Sequence, residues 1–346
     1  MRGNIDNPIG SVQMPLRVAG PLIVSGTHAD GMFYVPFATT EGALVRSYER
    51  GMVTLSRSGG VTTRLYLDEN RILPVFCFRD VQAAHEFVQY VDANFEPIRA
   101  VAESTTQHGK LRRLSCQPLG RQVMVEFAYF TGDAQGMNMI VKATEHACQM
   151  MMGQCQATRF YIFSGASSEK RASGSLFAGV KGKKVTAGAC VPARLLRAYL
   201  HTTPEQFVDM WHHTVLGHIH ANTTGYNGHY ANGLTAVFIA CGQDVANVAN
   251  ASVGITHFEL TESGDLYASV TLPALTVATV GGGTALSTSR ECLEMMDCYG
   301  PNRAAKLAEI IAATLLAGEL SMGAAIASGE FAAAHEAYGR NRPQEV

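Results

Sequence analysis

The chain has 346 residues, 47% hydrophobic and 16% charged, with a formal net charge of -2. That composition supports a sizeable core and excludes a disordered chain, and the near-zero charge gives no electrostatic reason to expect nucleic acid or an anionic membrane as partner. The eight cysteines form no CxxC pair and lie mostly in apolar runs, as expected of reduced thiols in a cytosolic protein, and the polar start predicts no signal peptide.

The front of the chain alternates Gly and Pro with short strand-like runs: Val12-Gln-Met-Pro, Leu22-Ile-Val and Phe33-Tyr-Val. Thr39 or Thr40 then caps a helix expected from Glu41 to a stop at Gly51. From Leu73 the pattern changes to a strand over 74–78, a long helix over 81–103, two strands over 110–116 and 121–130, a helix over 137–152 and a strand over 159–163. This βαββαβ order is that of the split βαβ, or ferredoxin-like, arrangement. It predicts an α+β protein in which a compact unit, residues 73–162, is inserted into a large mixed α/β domain made of 1–72 and 163–346. Strands over 184–187 and 265–272 and helices over 204–220 and 234–249 follow. From Arg303 onward, Ala, Leu, Ile and Gly recur at the spacing of buried helices. The apolar stretch 310–329 carries Glu319 and reads as a buried helix rather than a membrane span.

Several residues stand out chemically. Lys170 is a long cation in a small-residue loop, Phe163-Ser-Gly-Ala-Ser-Ser-Glu-Lys-Arg-Ala-Ser-Gly, suited to meeting a developing negative charge. Asp244 lies inside an apolar run, where burying a carboxylate costs several kcal/mol unless it is paired. Gly281-Gly-Gly-Thr joins a strand to a helix, and Gly132-Asp-Ala-Gln-Gly-Met-Asn-Met opens another; both positions suit an anion, and a plain turn explains the first as well. Neither G-x-G-x-x-G nor a P-loop motif occurs, so Rossmann and P-loop folds lack support. His212, His213, His218 and His220 share a helix face only loosely and have no carboxylate partner, so they read as polar decoration and predict no metal site. Taken singly, Glu41 is a helix N-terminal carboxylate and His335 a surface histidine.

In order, Asp6-Asn-Pro-Ile-Gly, Val18-Ala-Gly-Pro-Leu, Ala38-Thr-Thr-Glu-Gly, Gly132-Asp-Ala-Gln-Gly-Met-Asn-Met, Gly242-Gln-Asp, Thr279-Val-Gly-Gly-Gly-Thr and Ala317-Gly-Glu-Leu-Ser run through nearly the whole chain. Together they resemble the 3-hydroxy-3-methylglutaryl-coenzyme A reductases, in the form found in eukaryotes and archaea. The resemblance implies reduction of the acyl-CoA thioester to mevalonate, through hemithioacetal and aldehyde, with NADPH as the usual donor and NADH as the other nicotinamide candidate. It also implies an active site formed across a homodimer, alone or in a dimer of dimers.

Carried over residue by residue, the resemblance makes Lys170 the oxyanion-stabilising cation. Glu41 becomes a proton donor whose pKa burial raises, Asp244 the group between them, and His335 the donor to the departing thiolate. Ser47, Arg71 and Asn232 match substrate-contacting positions. Asp133, Met137, Asn138, Gly281, Gly282, Gly283 and Arg340 match cofactor-contacting ones. The chain departs from the family at Glu169-Lys170-Arg171, where D-K-K is usual. It departs again at His212-His213, where a substrate-carboxylate lysine is usual, and at Gln107, where an arginine grips phosphate. The second departure keeps another acyl thioester open as substrate, and the departures together keep open a catalytically dead binding paralogue.

Overall fold

The computed structural model describes residues 4–179 and 181–332. The strands β1 (Leu16–Ser25) and β2 (Asp30–Ala38) lead into α1 (Leu44–Arg57) and the long β3 (Val61–Ile72). Then come β4 (Val75–Cys77), α2 (Val81–Ala93), α3 (Phe95–Glu103), β5 (Lys110–Leu119), β6 (Gln122–Phe130), α4 (Met137–Met152) and β7 (Arg159–Tyr161). The rest of the chain forms β8 (Gly182–Val191), α5 (Ala193–Leu195), α6 (Pro204–Ala221), α7 (Tyr230–Ala240), α8 (Val248–Ala251), β9 (Ile255–Leu260), β10 (Leu266–Leu275), α9 (Ser287–Met295) and α10 (Ala304–Ala327).

One sheet runs β7-β4-β6-β3-β8-β10-β9, with β5 on β6 and the β1–β2 hairpin beside β3. The chain is a mixed α+β structure whose pairings are antiparallel except for the short β1–β3 contact. Strand β3 carries the connection between two hydrophobic cores. Its first part pairs with β8, and Asn70–Ile72 pair with β6. The larger core surrounds α10, whose residues from Leu307 to Leu320 are buried almost without a break. The smaller core, from Ile72 to Met151, fills the space between α2, α3, α4 and the strands β4 to β6.

Local chemistry sets the boundaries, and several depart from the periodic reading. The helix expected over 81–103 divides at Asn94, because Pro97 has no N–H to continue the ladder. Thr39 caps only a turn, donating nothing to a helix while its hydroxyl accepts from the Glu41 amide at 3.0 Å, and α1 starts at Leu44. Gly51 is no stop: it lies inside α1, where an added Cβ would sit 1.9 Å from the Ala317 carbonyl oxygen of α10. Its missing side chain lets two helices touch backbone to backbone. The helix expected over 234–249 ends at Ala240, because Gly242 adopts φ +64° against the backbone of Gly283 and Gln243 turns its amide to Cys241 and Ala278. Residues 12–15 form no strand, and β9 was not expected. Of the cysteines, Cys190 is exposed, and Cys77, Cys148, Cys241, Cys292 and Cys298 are buried.

Two glycine substitutions separate these roles. Gly51→Ala overpacks the α1–α10 contact and is expected to lower stability by about 1–3 kcal/mol. Gly217→Ala, on α6 with open space around it, is expected to raise stability by up to about 1 kcal/mol. Chemical denaturation of each variant measures both; a neutral Gly51→Ala contradicts the packing assigned here.

Candidate active site

Lys170 sits half-exposed at the end of a turn that contorts the backbone. Ser168 and Lys170 both adopt left-handed φ, +54° and +53°, which costs non-glycine residues roughly 1–3 kcal/mol each. The surroundings hold this turn. Ser167 accepts from the Leu73 amide at 3.1 Å, Ser168 meets Ser175 at 2.9 Å, and the Glu169 carboxylate is ion-paired with the wholly buried Lys181. Burial lowers the Lys181 pKa, and Glu169 opposes that shift. The result aims the Lys170 ammonium at Asp244, 2.7 Å away.

Asp244 is not buried, contrary to the expectation from its apolar run. The helix break at Gly242 brings it to the surface, where its side chain accepts from the Ala246 amide and pairs with Lys170.

The cofactor-matched segments gather beside this pair. The Asp133 carbonyl accepts from the Thr279 and Val280 amides, and its carboxylate accepts from the amides of Asn302, Arg303 and Ala304 at the start of α10. Gly281 and Gly282 have positive φ and open space where side chains would stand, and Gly283 packs on Gly242. Met137 opens α4 and receives the Lys181 ammonium and the Asn70 amide at its sulfur; Asn138 follows, exposed. Arg71 is buried, donating to Glu126 at 2.9 Å and to Ser175 at 3.0 Å, and burial lowers its pKa against the opposing effect of Glu126. Among the described residues, the buried atoms Asn70 Oδ1, Arg71 Nε and Ser164 Oγ have no hydrogen-bond partner, an uncommon condition for buried polar groups.

Glu41, Ser47 and Asn232 assemble elsewhere. They line a cavity of about 300 Å³ between α1, the start of α7 and the end of α10. Asn232 donates to Glu41 at 2.8 Å, Ser47 meets Ser321 at 3.0 Å, and Arg50 donates to the Ser321 carbonyl at 2.7 Å. Glu41 lines the cavity but is exposed, so one chain does not supply the burial expected for it. The substrate-matched residues therefore divide: Ser47 and Asn232 join Glu41, whereas Arg71 lies on the Lys170 side. Asn232 is in the first turn of α7 and Asp244 lies just beyond its end, so these two residues sit at opposite ends of a helix about 16 Å long at 1.5 Å per residue. His335 and Arg340 lie outside the described residues.

Two residues to which the sequence assigned no role meet at this end: His229 lines the cavity, and Glu319, buried in α10, holds it. The Glu319 carboxylate is buried in α10 and accepts from the amides of Gly228 and His229, from His229 Nδ1 and from the Thr256 hydroxyl, at 2.7–2.9 Å. Burial alone would raise its pKa. The hydrogen bond and charge of His229, with the two backbone amides, outweigh that and hold it below the usual carboxylate range.

A family model described as hydroxymethylglutaryl-coenzyme A reductase matches residues 1–340. The chain is 42% identical to the 3-hydroxy-3-methylglutaryl-coenzyme A reductase of Methanocaldococcus jannaschii, over 98% of this chain and 85% of that protein. It is also 42% identical to the reductase of the same name from Methanothermobacter thermautotrophicus, over 98% of this chain and 86% of the relative. Its fold is similar to that of the class II reductase from Streptococcus pneumoniae bound to NADPH in open conformations. That likeness has a TM-score of 0.75 at 19% identity, covering 93% of this chain and 87% of that one.

The depressed Glu319 carboxyl gives a signed prediction. Its contribution to stability is complete above the unfolded carboxyl pKa of about 4.3 and is lost as pH falls through the lower folded value. Glu319→Gln should therefore be less stable than the parent at neutral pH by about 3–5 kcal/mol. The gap should narrow in acid; denaturant unfolding at several pH values would read a constant gap if the carboxylate had no such role.

Proposed function

The chain belongs to the hydroxymethylglutaryl-coenzyme A reductase family, and on that premise we propose how its two clusters divide the reduction of 3-hydroxy-3-methylglutaryl-CoA to mevalonate. The observation that carries the reading is that Asn232, bonded to Glu41, and Asp244, bonded to Lys170, sit at opposite ends of α7. Each cluster is half of a site, and a second copy of the chain brings the opposite half. The working unit is then a homodimer, alone or in a dimer of dimers, in the cytoplasm.

A bound nicotinamide dinucleotide supplies the hydrides. The open backbone at Gly281 and Gly282 and the exposed Asn138 at the start of α4 fit such a ligand, with Asp133 organising the segment. Arg340 would add a contact from the C-terminal region. NADPH is the donor named for the similar streptococcal enzyme, and we assign it here, with NADH as the alternative.

Lys170 places its ammonium where the thioester carbonyl oxygen gains negative charge, and it serves the aldehyde oxygen in the second reduction. Asp244 holds that ammonium in place through the ion pair at 2.7 Å. Glu41 of the facing chain, oriented by Asn232, delivers the proton that the aldehyde oxygen needs. Closing two chains over Glu41 also provides the burial that a single chain lacks. Arg71 and Ser47 hold the acyl-CoA from the two halves, and His335 protonates the coenzyme A thiolate.

The inserted unit fits the same scheme. Its strands lie in the order β7-β4-β6-β5, the fourth-first-third-second order of a ferredoxin-like domain, and we take residues 73–162 as that domain. It carries Asp133, Met137 and Asn138.

Turnover of 3-hydroxy-3-methylglutaryl-CoA, followed as nucleotide oxidation, tests the assignment. Lys170→Ala and Glu41→Gln should each reduce kcat at least about a hundredfold, the scale of losing one charge-stabilising or proton-transfer group. Their thermal midpoints should stay near the parent's. A Lys170→Ala chain with parental kcat would remove the mechanism.

A further inference from the structure

One buried carboxylate has no part in the reaction above. Glu126 interrupts the apolar run of β6, where Val125, Phe127, Ala128 and Tyr129 are buried around it. A charge in that position needs partners. The sheet supplies two, because Ala128 lies opposite Arg71 on β3 and opposite Arg113 on β5. Residues two apart on a strand share a face, and their cross-strand neighbours share it too, so both guanidinium groups reach Glu126 along the diagonal. Arg71 meets one carboxylate oxygen at 2.9 Å and Arg113 meets the other at 2.7 Å.

Arg71 extends this line into the catalytic turn. Its second terminal nitrogen donates to the Ser175 hydroxyl at 3.0 Å. A guanidinium only donates, so that hydroxyl keeps its own proton to give, with Ser168 at 2.9 Å and Ser173 at 3.0 Å. Ser168 donates onward to the Ala166 carbonyl at 3.3 Å. It is buried and held in left-handed backbone two residues before Lys170. Hydrogen bonds therefore run without a gap from Arg113 through Glu126, Arg71 and Ser175 to Ser168. An ion pair at this depth adds little stability beyond what apolar side chains of the same volume would give. Its consequence is position, since a carboxylate gripped from both sides fixes where Arg71 points.

We propose that Glu126 is a positioning residue for the reduction: by fixing Arg71 it holds, through Ser175, the Ser168 backbone from which the Lys170 turn projects. This deepens the assignment of Lys170 as the oxyanion-stabilising cation and rests on it.

Glu126→Gln keeps the shape and one acceptor but removes the charge. In the full chain, kcat for 3-hydroxy-3-methylglutaryl-CoA should fall about tenfold, the effect of one lost charge-assisted hydrogen bond, with the KM for NADPH unchanged. Because the effect passes through Ser175, the same substitution in a Ser175→Ala chain should lower kcat no further. Parental kcat in Glu126→Gln, or losses that multiply in the double variant, overturns the proposal. Should Glu126→Gln fail to fold, Arg113→Gln, at the half-exposed outer end of the line, replaces it in the same cycle with an expected loss of about threefold. Spectra of the 13C-lysine-labelled protein separate this device from the reaction itself. Glu126→Gln should move the Lys170 Cε resonance in the parent background and leave it still in the Ser175→Ala background; a resonance unmoved in the parent background overturns the proposal. That readout needs no turnover, so an inactive parent would count against the assigned reaction while the resonance still judged Glu126.

Discussion

A carboxylate sealed inside the longest helix constrains the Glu41 cavity of this molecule. Glu319 cannot be charged in the core of α10 unless nearly every lone pair is met, and four donors meet it. Three of them belong to Gly228 and His229, the residues that launch α7. Satisfying the buried charge therefore sets where α7 begins and which way its first turn faces. Asn232 points at Glu41 as a consequence. Close helix contact reinforces the arrangement: Gly51 and Gly318 let α1 and α10 approach until Gly51 meets the Ala317 carbonyl and Tyr48 fills the space beside Gly318. A polar demand and a steric concession thus position the same cavity.

At the far end of α7, a different device operates. Gly242 and Gly283 pack backbone to backbone, which ends the helix and turns Asp244 outward to meet Lys170. The Lys170 turn is itself strained and depends on the buried Glu169–Lys181 pair and the Ser167 and Ser168 contacts. The cofactor-matched segments are tied to this end through Asp133 and Met137. Strand β3 joins both cores, so the two are held in one sheet.

Much of this was legible in the sequence. The order of strands and helices between residues 73 and 162 could be read because alternation and helical periodicity change sharply there, and α4 was read to its observed ends. The chemical residues were recognisable as segments, since each motif is continuous in the chain. What could not be read were contacts between distant segments. Nothing local announces that Gly51 faces Ala317 or that Gly242 faces Gly283, so one glycine looked like a helix stop and the other like a helix interior. The supposed burial of Asp244 failed for that reason. Glu319 is the instructive case. The desolvation argument that singled out Asp244 applied equally to a glutamate in the apolar run of α10, and pursued there it would have led to His229.

The division of the catalytic groups between two chains is the central claim, and mixing two inactive variants tests it most directly. Glu41→Gln and Lys170→Ala chains, unfolded and refolded together in equal amounts, form heterodimers in which one of the two sites keeps both groups. Random pairing in a symmetric dimer then predicts recovery of about a quarter of parental activity. Activity no greater than the sum of the separate variants would contradict the shared site.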